Sequence, residues 1–255
     1  MQNVELMDPV NRLKDMNLSP PAQGFPIIQT SFDVRPDCGE DSYRGMGCLQ
    51  GFKALITGGD LGVGRSVVVA FLREGANVAI NYLPKEEPDV DDLADFMSDE
   101  GLSFKRIPED LLNETFCTEL VHEAANRLGG IDIMAQNAAY SEILLGLKLQ
   151  PITNQSTEQL EQIYRTNVFA TFFLTRAAVP LLPRGGSTVF TTSEIVNSPD
   201  SNAVDYGSSK AAISYMICSL SPGELVPIYV NLADPLETYT GGNIRSTSGG
   251  APGSV

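Results

Sequence analysis

Between Lys53 and Tyr82 the chain reads KALIT, GGDLGVGR, SVVVAFLREG and NVAINY, and this order constrains the fold more than any other feature. KALIT and NVAINY are short β-branched runs of the kind buried in a sheet. SVVVAFLREG is an apolar helix that a glycine stops. Two strands joined by one helix within about thirty residues must lie parallel, since only a crossover brings the second strand beside the first in the same sense. The alternation then continues. PDVDDLADFMSDEG, NETFCTELVHEAANRLGG and YGSSKAAISYMICSL read as helices, and SFKRIPED, IDIMAQNAA and STVFTTS as strands. TEQLEQIYRTNVFATFFLTRAAVPLL reads as one long helix. The expected fold is α/β, a Rossmann-like doubly wound parallel sheet in three layers.

Residues 51–255 are expected to form that domain, and residues 1–50, rich in Pro, Gly, Asp and Ser, an extended arm in which PIIQTSF offers apolar anchors. The acidic run from Glu86 to Glu100 reads as a solvated helix face. With 32 acidic against 17 basic residues the net charge is −15, which disfavours nucleic acid and anionic membranes as partners. No stretch approaches the ~20 apolar residues of a membrane span, and MQNVELMDPVNRLKD is unlike a signal peptide. A cytoplasmic protein is expected. Four scattered cysteines give no metal or disulfide spacing, and His122, the only histidine, sits in a helical stretch where an exposed position is expected.

The loop Thr57-Gly58-Gly59-Asp60-Leu61-Gly62-Val63-Gly64 stands between the first strand and helix. Glycines there let a pyrophosphate approach the backbone, and the helix N-terminus supplies N–H groups and positive potential. Further on, Tyr206 and Lys210 stand one helical turn apart, just after a strand that ends in hydroxyl residues. A neighbouring ammonium favours the phenolate of a tyrosine whose ordinary pKa is ~10, making it usable in proton transfer.

These features together resemble the short-chain dehydrogenase/reductase family, from about Arg35 to Gly250. RPDCGEDSYRG, GGDxGxGR and AINYLPKEE resemble a subgroup with an N-terminal arm. The resemblance implies hydride transfer between NADP(H), or NAD(H), and a small carbonyl or secondary alcohol, in a homodimer or homotetramer. It implies cofactor contacts from Gly58, Gly62, Val63, Gly64, Arg65, Tyr82, Asp110, Leu111 and Asn137, shared with Tyr206 and Lys210. Asp110-Leu111 would receive the adenine, and Asn137-Ala138-Ala139 stand where the family has N-A-G. Tyr82 takes the place of an acid that would select NAD; Arg65 and Lys85 nearby favour NADP. The catalytic set would be Asn167, Ser193, Tyr206 and Lys210, with no metal.

Two alignments stay open. Counting thirteen positions back from Tyr206 gives Ser193 as the hydroxyl donor, whereas matching T-T-S-E-I to a family T-T-S-S-I puts Glu194 there. Ser193 is preferred, because a loop one residue shorter disrupts less than a lost donor. After Leu220, Ser221-Pro222-Gly223-Glu224 forms a capping box that favours a helix over ELVPIYVNLAD, with YTGGNIRSTSGG resembling the family's last strand. The rival makes IYVNLADPLETYT the sixth strand and a turn, with Thr240 as the nicotinamide contact. Either leaves the substrate region incomplete. A cofactor-binding pseudoenzyme and a non-redox isomerase or cyclase on the same scaffold are therefore carried beside the reductase.

Overall fold

A computed structural model describes residues 25–32, 35–141, 150–220 and 229–233. Six strands, β1 (Lys53–Thr57), β2 (Asn77–Tyr82), β3 (Phe104–Pro108), β4 (Ile133–Gln136), β5 (Ser187–Thr191) and β6 (Tyr229–Ala233), form one sheet in the order β3-β2-β1-β4-β5-β6. Every neighbouring pair is parallel. The order reverses between β1 and β4, so the loops leaving these two strands diverge and open a crevice at their carboxyl ends.

Helices cover both faces. α1 (Gly62–Arg73) and α2 (Glu87–Asp99) bury Val68, Val69, Leu72, Val90, Leu93 and Met97 against Ile56, Val78 and Ile80 of the strands. On the other face α3 (Glu114–Leu128) and α5 (Ala170–Ala178) pack Leu120, Val121 and Leu174 on Leu55, Ala79 and Met134. The side chain of Asn113 caps α3 by accepting from the N–H groups of Thr115 and Phe116, and Gly129, at φ 75°, ends it in the left-handed region. α6 (Val204–Leu220) packs Ile213 and Ile217 on Phe190 and Val230.

Three expectations change. The long helix is divided into α4 (Thr157–Tyr164), a π turn (Arg165–Phe169) and α5, ending at Ala178. The helix expected over ELVPIYVNLAD is overturned in its described part, because Tyr229–Ala233 pairs residue for residue with β5. β5 would otherwise present a bare edge; Tyr229 N–H donates to Gly186 O and Thr192 N–H to Ala233 O at both ends of the new strand. The capping box at Ser221, the strand-like YTGGNIRSTSGG and Thr240 lie outside the described residues.

The acidic run is also not simply solvated. Asp89 is fully buried and Glu86 nearly so, while Asp92 pairs with Arg35 and Arg65. Buried carboxylates require partners; those of Asp89, the N–H groups of Gln29 and Thr30, come from the chain ahead of β1. There the described residues carry a short 3₁₀ turn, Gln29–Ser31, and bury Ile27, Phe32 and Cys38. Arg73 fixes the same segment by donating to the carbonyls of Gly39, Glu40 and Tyr43.

Candidate active site

The crevice at the sheet's carboxyl edge is an open cleft that runs from the glycine loop to Lys210. Its floor is tied together by Thr57, whose hydroxyl accepts from the N–H groups of Asn137 (3.2 Å) and Ala138 (3.3 Å). The Asn137 amide donates to Gly58 O at 3.1 Å, and its oxygen accepts from the Thr191 hydroxyl at 3.3 Å. The ends of β1, β4 and β5 are thus held in one hydrogen-bonded unit. Gly64 makes this closeness possible, since a Cβ there would stand 1.7 Å from Gly58 O.

Gly58, Gly62, Val63, Tyr82, Asp110, Leu111, Asn137, Ser193, Tyr206 and Lys210 all line the cleft. Gly64 supports it from beneath. Arg65 is not brought there: the residue is only 4% exposed and its guanidinium is consumed by Glu40 (2.6 Å), Asp92 (2.7 Å) and the Asp89 carbonyl (3.1 Å). Helix α1 turns this side chain toward the arm and α2, away from the loop's open side. Lys85 is exposed in a 3₁₀ turn beyond β2 and is not among the cleft-lining residues. The Tyr82 hydroxyl donates to Glu87 at 2.7 Å, and burial followed by that carboxylate pushes its pKa up.

Sequence reasoning missed the acids at this end. Asp60, 2% exposed, lines the cleft and its Oδ2 has no hydrogen-bond partner. Burial raises both Asp60 and Glu86, and Glu86 is raised further by its neighbour Asp60. Neighbouring buried carboxyls resist being ionised together. The available signal was a charged residue inside a glycine loop.

At the other end Tyr206 lies in the first turn of α6 and Lys210 one turn later. The Lys210 ammonium donates to Thr191 O at 2.8 Å and lies 5.6 Å from the Tyr206 ring centroid. Burial pushes the Lys210 pKa down to about 8. Ser193 leads into a 3₁₀ turn, Glu194–Val196, and its hydroxyl accepts from Ile195 N–H at 3.4 Å. Ser193 faces the cleft, whereas Glu194 is not among the residues that line it.

Asn167 is fully buried in the π turn rather than lining the cleft. Its oxygen accepts from Tyr140 N–H (2.8 Å), and its amide donates to Tyr140 O (3.0 Å) and the Ser209 hydroxyl (3.1 Å). It therefore clamps the loop after β4, and Tyr140 of that loop is a cleft wall. Phe25 from the arm meets the Tyr140 ring edge-on at 5.1 Å and also lines the cleft. His122 is exposed on α3.

Residues 53–248 match the short chain dehydrogenase family. The chain belongs to this family. It is 40% identical to the uncharacterized oxidoreductase YhxD of Bacillus subtilis over 216 residues, 79% of this chain and 70% of that protein. It is 34% identical to the NADPH-dependent aldehyde reductase 1, chloroplastic, of Arabidopsis thaliana, over 70% of this chain and 62% of that protein. Among solved structures, a short chain dehydrogenase from Burkholderia cenocepacia in complex with NADP aligns with a TM-score of 0.66 at 27% identity, covering 76% of this chain and 77% of that one. The chain is thus a short-chain dehydrogenase/reductase oxidoreductase with the family's Rossmann-like sheet.

The Lys210 environment gives a pH dependence. The folded protein releases this proton near pH 8 and the unfolded chain near 10.5. Between those values the unfolded state binds more protons, so stability should rise with pH, by about 1.4 kcal/mol per unit at most. Urea midpoints of the ligand-free protein between pH 7.5 and 10 should show this rise, and Lys210→Met should flatten it. An equal slope in both would place the titration elsewhere.

Proposed function

We propose that this chain moves hydride between a nicotinamide dinucleotide and a carbonyl or secondary alcohol, with Tyr206 exchanging the proton. The observation that carries this reading is convergence: Ser193, Tyr206 and Lys210 share one cleft with the glycine loop, at the point where the strand order reverses. The residues suit such a cofactor. The first turn of α1 offers N–H donors to a pyrophosphate, and Asp60 Oδ2 is a buried acceptor without a partner. When bound, the dinucleotide supplies or accepts the hydride.

The rest is chemistry of the chain itself. Lys210 lowers the cost of the Tyr206 phenolate, so the phenol gives its proton to a developing alkoxide or takes one from an alcohol. Ser193 donates to the same substrate oxygen and fixes its position. Asn167 acts at one remove by setting the Tyr140 wall. Ser193 lines the cleft and Glu194 does not, which supports Ser193 as the hydroxyl donor and the reductase over the pseudoenzyme.

At the adenosine end the described cleft lining supplies Asp60, Glu86, Glu109 and Asp110 but no cation, Lys210 being the only basic lining residue and standing at the opposite end. A ribose 2′-hydroxyl can donate to Asp60, whereas a 2′-phosphate meets negative charge. NAD(H) is therefore the cofactor this geometry favours. NADP(H) is the second reading, supported by Lys85 beside the end of β2 and by the cofactor named for the Arabidopsis relative and the Burkholderia neighbour.

A second copy of the chain would cover the face where Leu160, Phe169, Phe172, Val204 and Tyr215 are exposed, Tyr215 by 77%. Patches of this kind on helices normally mark an interface. Light scattering should give at least twice the monomer mass at micromolar concentration; a monomer would contradict this.

Tyr206→Phe should remove nearly all turnover on a carbonyl panel while dinucleotide affinity stays within a factor of about two, since the phenol acts mainly in the transition state. Ser193→Ala should lose about 10²-fold in kcat. Undiminished turnover in Tyr206→Phe would overturn the proton-transfer assignment.

The wild type should bind NADH more tightly than NADPH by fluorescence titration. Asp60→Asn should weaken NADH by ~1–3 kcal/mol, as for a hydrogen bond to a charged group, and narrow the gap. Tighter NADPH binding by the wild type would establish the second reading.

A further inference from the structure

The glycine-loop helix begins without a cap of its own. The residue at the N-cap of α1 is Leu61, whose side chain can accept no hydrogen bond, and Gly62 follows at φ 56°. A helix leaves its first N–H groups without intrahelical acceptors, and an uncapped buried start is costly. Here the missing acceptor arrives from 33 residues earlier: Gly62 N–H donates to Gln29 Oε1 at 3.0 Å.

Gln29 is itself held rigidly. It is 3% exposed; its N–H and that of Thr30 donate to the two oxygens of the Asp89 carboxylate, both at 2.7 Å. Its side-chain amide reaches the Cys38 sulfur at 3.6 Å. Asp89 is fixed in turn on α2, where Arg65 donates to its carbonyl and binds Glu40 of the arm. This network is buried and specific, and a segment that merely filled space would not need it.

Resting on the nicotinamide-dinucleotide reading above, we propose that Gln29 is a positioning residue for the cofactor's phosphates, acting as an N-cap supplied from the arm. By taking the Gly62 N–H on the buried side, Gln29 sets the pitch of the first turn and leaves the N–H of Val63, a cleft-lining residue, to face a pyrophosphate. The arm then belongs to the site at two points, because Phe25, four residues before Gln29, lines the same cleft. Cofactor affinity in this chain depends on residues that precede its first strand.

The test is Gln29→Met, which keeps the length and shape of the side chain and removes the acceptor. Titration with NADH and NADPH should show affinity for both falling by about 3–10-fold, the size of one lost hydrogen bond, with kcat at saturating cofactor within about twofold of wild type. Tyr43→Phe is the control. Tyr43 is also on the arm but bonds Glu74 at the far end of α1, so its loss should lower thermal stability and leave affinity alone. Equal weakening in both variants, or wild-type affinity in Gln29→Met, would overturn the proposal. Should Gln29→Met fail to fold, amide exchange of the wild type decides: Gly62 N–H should be protected without cofactor, and rapid exchange there would sink the idea. A wild type that binds neither dinucleotide but protects Gly62 would defeat the functional reading while leaving the cap in place.

Discussion

The hydroxyl of Thr57 is the point on which the site depends. Two parallel strands that diverge in connectivity must send their following loops in opposite directions, and nothing in the ladder of hydrogen bonds itself keeps those loops in a fixed relation. Thr57, at the last position of β1 and 1% exposed, solves this by accepting from two successive N–H groups beyond β4. Asn137 extends the junction to Gly58 and Thr191. Three strand ends become one rigid rim, and rigidity of this kind is what a site needs to hold reacting groups in place.

A chain so rich in carboxylates must also find positive charge for those it buries. Arginines do this work at the described surface between arm and domain. Arg65 joins Glu40 to Asp92, Arg35 joins the same Asp92 from the other side, and Arg73 crosses from Glu100 to three arm carbonyls. Planar guanidinium groups suit such multiple contacts better than lysine. Asp60 and Glu86, which form no ion pair among the described residues, are instead buried in the cleft lining, where burial makes them harder to ionise. Scarcity of bases thus shapes both the seam and the site.

The strand and helix order was legible because the central strands are short apolar runs and several helices carry a local stop or cap, as with Asn113 and Gly129. The glycine loop and the Tyr206-Lys210 pair were legible for the same reason: their spacing is local. What could not be read were contacts between distant segments. Arg65 looks like a phosphate ligand from its neighbours in sequence, and only packing shows Glu40 and Asp92 around it. The final described strand was misread because the capping pattern at Ser221 is a local signal, while the demand of β5 for a partner is not. Gln29 carries no sequence signal at all, since its role exists only once α1 lies beside the arm.

The π turn at Arg165–Phe169 has a geometric consequence. An extra residue accommodated inside a helix advances the face of everything after it by about 100°. Asn167 points inward at Tyr140 from this turn, while Phe169 and Phe172 are exposed on the outer face. The buried clamp and the exposed aromatic face therefore lie on opposite sides of one helical stretch. Removing one residue here would rotate α5 by about 100° relative to α4 and so carry Phe172 away from Leu160.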